Sequence, residues 1–244
     1  VLLGIMGGGY HPAASPIISA SVEEKNRGRA LGLHQIGGNA SFFLTPLIAV
    51  GIAATLGGWR GSFIALAIPT IIFGIILHVL LGRQKYARQP EHGIPHAEAS
   101  SPPSRLRRLI PFTILGVAIQ IIAVSTISFI PLLAVDQFKV GEEAGAALLS
   151  LTHSTGLWAG PLGGYLSDRI GKVPVMLTAC LIAGPAIYLL NLVSFGWSIS
   201  VVMLIVGTCQ YVSMPVSEAY IISHTSERNR STILGIYYFA SRGG

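Results

Sequence analysis

The chain repeats itself at an offset of 203 residues, and both copies lie in apolar stretches closed by the same charged turn. The stretch EKNRGRALG (Glu24 to Gly32) recurs as ERNRSTILG (Glu227 to Gly235). The same register aligns Gly4 with Gly207, Pro12 with Pro215 and Ile18 with Ile221. A parallel repeat between long hydrophobic segments restricts the chain to architectures made of two similar membrane-embedded halves. Composition agrees: 51% of the residues are hydrophobic and 11% charged, with a mean hydropathy of +0.64. A soluble domain of this length would have too little polar surface to cover its core.

Apolar segments of about 20 residues, the length that crosses a bilayer, are expected near 2 to 22, 29 to 56, 61 to 82, 109 to 135, 144 to 166, 173 to 195 and 197 to 223, with an eighth opening at Ser231. Six segments separate the repeat partners, so the first corresponds to the seventh and a complete molecule has twelve. The missing initiator Met and the stop within a span predict an internal fragment covering helices four to eleven. Its expected divisions are residues 1–83, the end of one six-helix half; 84–108, a linker containing PEHGIPH and SSPPS; and 109–244, the truncated second half.

Thirteen of the 16 basic residues fall in alternate loops. The excess of Lys and Arg on one side predicts that loops 23–29, 84–108, 167–172 and 224–230 are cytoplasmic, in a multi-pass plasma (inner) membrane protein. The net charge of +6 is thereby assigned to topology, and nucleic acid is not an expected partner. Cys180 and Cys209 lie in separate apolar segments and read as packing residues. His92 and His96 flank Pro95 without a third ligand nearby, so neither a metal nor another cofactor is expected. The expected partners are lipid, a small molecule and protons, with the protein acting as a monomer.

The most specific local motif is GGYLSDRIGK (Gly163 to Lys172), between two spans. It resembles the G-x-L-x-D-R-x-G-R/K turn of the major facilitator superfamily. The resemblance implies an all-α bundle of two pseudo-symmetric six-helix halves, with Gly164, Asp168, Arg169, Gly171 and Lys172 forming a gating latch against a neighbouring helix end. The ladder Gly156, Gly160 and Gly164 puts small residues on one helix face for close packing. A narrower likeness runs through GGYHPAASPIISASV (Gly8 to Val22) and LHQIGGNASFFLTPLIA (Leu33 to Ala49). There His11, Pro12, Gln35, Gly37, Gly38, Asn39 and Pro46 resemble the fosmidomycin resistance branch, which implies proton-coupled efflux. The G-P-x-x-G-G pattern of many proton antiporters reads TPLIAV (Thr45 to Val50) instead, so the direction of transport stays open.

Polar residues at membrane depth are the site candidates, because burying them without a role is costly. Arg242 lies ~16 Å beyond Ser231 along a helix, and the repeat places Asn39 at its equivalent and His34 opposite Tyr237. In the resembling fold these helices line the central cavity. Arg242, Asn39, His34, Gln35, Tyr237 and His11 are therefore expected around an anionic substrate. His11, Glu218 and His153 are the proton-coupling candidates. Their bland alternatives are a structural hydrogen bond for each His and a basic loop partner such as Arg228 for Glu218. A membrane hydrolase using Ser15 or Ser19 with His11 lacks an acid and a nucleophile elbow, so no enzyme is expected. The expected function is secondary transport by alternating access, as drug or small-anion efflux. The alternatives are an uptake symporter for an organic acid or phosphorylated metabolite and, more remotely, a non-transporting receptor.

Overall fold

A chain this apolar has to satisfy its backbone polar groups internally, and helices do so within each segment. A computed structural model describes residues 10–56, 58–83 and 103–242 (side chains at 77, 81–83, 103–106, 108 and 242 excepted), and every regular element among them is helical. The helices are α1 (Tyr10–Ala20), α2 (Arg27–Leu56), α3 (Trp59–Arg83), α4 (Pro103–Ser128), α5 (Glu142–Ser154), α6 (Gly156–Ile170), α7 (Lys172–Leu189), α8 (Trp197–His224) and α9 (Arg230–Arg242). Stretches long and apolar enough to cross a membrane are Glu24–Leu56, Trp59–Leu80, Leu109–Gln137, Lys172–Leu189 and Trp197–His224.

The repeat is realised residue for residue at the basic turns. A short 3-10 turn, Glu24–Asn26, leads into α2, and its counterpart Glu227–Asn229 leads into α9. Each new helix begins at the equivalent arginine, paired with the glutamate three residues before it: Arg27 to Glu24 at 3.7 Å and Arg230 to Glu227 at 3.5 Å.

Three boundaries differ from the sequence reading. The span expected at 144 to 166 is two helices, α5 and α6, which meet at Thr155. There the Thr155 N–H reaches back three residues to the Thr152 carbonyl (3.3 Å), and the Thr155 hydroxyl donates to that carbonyl as well (2.7 Å). Pro161 removes a further helical donor in the next turn, so the rod cannot continue undisturbed. The span expected to end at 135 runs past Pro131 into a π turn, Leu133–Gln137. Residues 84–102 of the expected linker lie outside the described residues, as do His92 and His96, but 103–108 already form the start of α4. Pro103 opens that helix, the position where proline's fixed φ and missing N–H do no harm.

The axis of the bundle is α8. Its residues from Cys209 to Ile222 are buried without a break, and Leu31, Phe112, Met176 and Leu234 pack with it. A second cluster towards the opposite end joins Ile127, Ile130, Leu148, Ile199 and Met203. By contrast α3 packs chiefly on α2 and presents Phe63, Ile64, Ile71 and Phe73 outward. Helices α1 to α3 precede residues 84–102 and α4 to α9 follow them; these two halves of the chain meet where α2 lies along α5 and α6 and where α1 lies against α8 and α9.

Candidate functional site

The first junction begins at the turn between α6 and α7. Gly171 adopts a φ of +100°, a conformation that side-chain-bearing residues rarely take, so the chain reverses there and Asp168 projects from the last turn of α6. Its carboxylate accepts hydrogen bonds from the backbone N–H of Gly28 (3.1 Å, Oδ1) and of Arg29 (2.8 Å, Oδ2). These are orphan donors of the first turn of α2, and a carboxylate at a helix N-terminus also meets the positive end of the helix dipole. Asp168 therefore acts as an N-cap supplied by the other half. Arg169 does not join this contact; its guanidinium lies over the Tyr165 ring at 4.8 Å. Lys25, Asn26, Arg29, Tyr165, Asp168 and Arg169 line a polar cavity at this basic end.

Glycines carry the junction inward. A Cβ on Gly164 would overlap the Gly28 carbonyl oxygen, and one on Gly32 would come within 2.5 Å of the Gly160 oxygen. Gly156 lies against Asn39, where an added Cβ would meet the Asn39 side chain at 2.7 Å. The expected small-residue ridge thus faces α2 at three successive turns. Asn39 is 3% exposed, and its side-chain amide donates to the Gly156 carbonyl at 2.7 Å, on the seam between the halves. Buried at the helix contact, the amide has to satisfy itself there.

The second junction is a cluster on Glu218, which is 1% exposed. Ser15 donates its hydroxyl to Glu218 Oε2 (2.9 Å), Gln35 donates its side-chain amide to Oε1 (3.0 Å), and the Tyr238 hydroxyl donates to Oε1 as well. Ser15 is on α1, Gln35 on α2 and Tyr238 on α9, so the first half supplies two donors and the second half one. Glu218 does not reach for Arg228, which is exposed in the loop beyond α8. Gln35, one of the residues expected around a substrate, is 4% exposed and gives its side-chain N–H to Glu218.

The partners share a relation that the repeat encodes. Ser15 and Glu218 are 203 residues apart, and so, in the same register, are Gln35 and Tyr238. Equivalent positions of two repeats can touch only close to the axis that relates them, so the cluster sits on the pseudo-two-fold. Ser15 and Tyr238 were not among the expected site residues. Applying the repeat register to Glu218 and Gln35 would have found both.

The other candidates lie as follows. The His11 ring stacks on Tyr238 with centroids 5.0 Å apart, and Tyr10 approaches His34 at 3.4 Å. Thus α1, α2 and α9 bring His11, His34 and the Glu218 cluster to one region. Tyr237 is buried beside Gly116 of α4. His153 of α5 is hydrogen-bonded to the Tyr211 hydroxyl (2.5 Å) and lies 5.5 Å from the Phe42 ring. Arg242 ends α9, and its side chain lies outside the described residues. Among the described residues no group of three His, Cys, Asp or Glu could hold a metal ion.

The chain is 25% identical over 236 residues to the multidrug resistance protein MdtG of Citrobacter koseri, a match covering 93% of this chain and 56% of that protein. It is 24% identical over 233 residues to MdtG of Enterobacter lignolyticus, covering 93% of this chain and 54% of the relative. The chain therefore spans about half the length of the curated relatives it matches. No solved structure matches it. The repeated halves, the helical bundle and the Asp168 turn coincide with a match of residues 1–244 to the model of the Major Facilitator Superfamily, and this multi-pass membrane chain belongs to that family.

Proposed function

We propose that the chain is the helix four to helix eleven part of a secondary transporter that moves small lipophilic or anionic compounds out of the cytoplasm by alternating access. The observation that carries this reading is the Asp168 cap. One half holds the other by two backbone N–H groups at a helix end, a contact that rigid-body rocking of the halves would make and break as a unit. In this reading the basic end is cytoplasmic, Gly164, Asp168 and Gly171 form the latch, and Arg169 and Lys172 hold its turn on the cytoplasmic side. Residues 1–83 and 109–244 belong to the two halves.

Efflux is favoured over uptake because relatives that the chain matches are named for multidrug resistance. The finer likeness to the fosmidomycin resistance branch rests on His11, Pro12, Gln35, Gly37, Gly38, Asn39 and Pro46. Arg242, Asn39, His34, Gln35, Tyr237 and His11 are the residues assigned to the substrate cavity, with protons as the coupling ion and Glu218 and His11 as their carriers. His153, bonded to Tyr211, is assigned a structural role.

The test is flux of anionic, phosphonate and lipophilic compounds, fosmidomycin among them, in inside-out vesicles carrying the full-length protein under an imposed pH gradient. Accumulation that disappears when the gradient is collapsed supports proton-coupled efflux. No accumulation there, with uptake in right-side-out vesicles, replaces it with the symporter. Saturable binding without flux in either direction leaves a receptor.

A further inference from the structure

Glu218 is placed where its charge state bears on whether the halves stay together. It lies six residues before the end of α8, about 9 Å along the helix, and Ser15, Gln35 and Tyr238 lie within about 12 Å of the basic ends of their own helices. The cluster is therefore in the same part of the bundle as the glycine seam and the Asp168 cap. A carboxylate accepts hydrogen bonds at both oxygens, and bonds to a charged acceptor are roughly twice as strong as neutral ones. Ser15 and Gln35 can deliver theirs only while α1 and α2 lie against α8. Taking up a proton turns one oxygen into a donor and weakens the acceptor strength of both, so the bonds that cross between the halves lose about half of their strength.

We propose that Glu218 is a proton-operated latch between the halves, with Ser15 and Gln35 as positioning residues. Deprotonated, it holds the basic end shut; protonated, it lets the halves part. This rests on the alternating-access reading above. The step balances simply: a proton from the side opposite the basic end adds to the carboxylate, the halves separate at the basic end, and the proton leaves there. That order is exchange of an outside proton for an inside substrate. The titratable groups around the latch are His11 on α1, stacked on Tyr238, His34 on α2 next to Gln35, and Tyr237 and Tyr238 on α9. Between Leu109 and Ser128, α4 carries none; α6 and α7 place Tyr165, Asp168, Arg169 and Lys172 at the basic end, Cys180 in mid-helix and Tyr188 near the far end. Along α5 the nearest is His153, hydrogen-bonded to Tyr211; α8 itself adds Cys209, Tyr211, Tyr220 and, in its last turn, His224, α2 opens with Arg27 and Arg29, and α9 ends at Arg242, four residues beyond Tyr238.

The experiment measures the distance between spin labels at exposed positions 24 and 228 of the full-length protein, one on each half, with Cys180 and Cys209 replaced by Ala. Distances are recorded from pH 5 to pH 8.5 and flux is measured in parallel. The expected wild-type result is a shift to longer separation as pH falls. Glu218→Gln, a neutral mimic of the protonated acid, is expected to show the long separation at every pH. Ser15→Ala and Gln35→Leu remove stabilisation that exists only in the closed, deprotonated state, so the opening midpoint moves to higher pH in both. A structural role alone would not move that midpoint. His11→Asn tests the other assigned proton carrier, and a response retained there leaves the switch at Glu218.

A wild-type distance that ignores pH overturns the latch, as does a Glu218→Gln protein that still responds like wild type. Loss of the response in His11→Asn with retention in Glu218→Gln moves the switch to His11. Should Glu218→Gln fail to fold, the Ser15→Ala and Gln35→Leu midpoints decide alone: unchanged values overturn the proposal. Flux is scored separately. Its absence in wild type defeats the transporter reading whatever the distances do.

Discussion

The two junctions between the halves use opposite physics. Along α2 and α6 the contact is backbone on backbone, with Gly28 and Gly32 facing Gly164 and Gly160. Selectivity there is steric, since one added methyl group has nowhere to go. A short distance away the same halves meet on Glu218 through side chains whose hydrogen bonds depend on a proton. The seam answers only to distance, whereas the cluster also answers to pH. A transporter that must open reversibly needs both kinds of contact: close packing to exclude water when shut, and a titratable group to bias when it opens.

The comparison can be broken most forcefully at Gly164. Gly164→Val places a side chain onto the Gly28 backbone, so transport in the full-length protein should fall at least about tenfold, in line with overpacking costs of roughly 1–3 kcal/mol or more. Gly160→Ala sharpens the test, because a Cβ there would stand 3.6 Å from the Gly32 oxygen and near-normal flux is expected. Equal damage from both would show that the seam does not depend on the measured spacing.

Next in size is Asp168→Ala, which leaves the Gly28 and Arg29 N–H groups uncapped. A cap is worth about 1 kcal/mol, so accessibility of a cysteine introduced at Ala30 to a thiol reagent should rise about fivefold. Unchanged labelling would remove Asp168 from the latch. Ser62→Ala probes the periphery: the Ser62 hydroxyl donates to the Ala49 carbonyl at 2.7 Å and ties α3 to α2. Its loss should cost about 1 kcal/mol in thermal unfolding with no change in flux. The smallest effect is expected at Gly37, where an added Cβ meets nothing within 4 Å. Gly37→Ala should be neutral or stabilising by up to about 1 kcal/mol. A loss of transport there would show that the glycine pair serves the substrate path.

Much of this was legible because membrane sequence constraints are strong. Apolar length gave the places of the helices, and the ladder at Gly156, Gly160 and Gly164 announced a packing face. Burial was not legible from hydropathy. Helix α3 is among the most apolar and has no buried residue in its most hydrophobic window, while α8, which carries Gln210, Ser213, Ser217 and Glu218, is 67% buried over its window. In lipid the apolar face turns outward and polar groups are kept inside, so the rule that serves soluble proteins is inverted.

Partner identity divides along the same line. From residue order alone came the repeat, its register, the helical class and the family turn around Asp168, because each is a periodicity or a local motif. Only the tertiary structure decided that Asp168 caps α2, that Asn39 seals a helix contact, that the fifth span breaks at Thr155, and that Glu218 is held by Ser15, Gln35 and Tyr238. Apart from the local break at Thr155, those are contacts between segments 20 to 203 residues apart. A linear pattern records which residues a helix places on one face; which face of which helix arrives opposite is settled by the packing of the whole bundle.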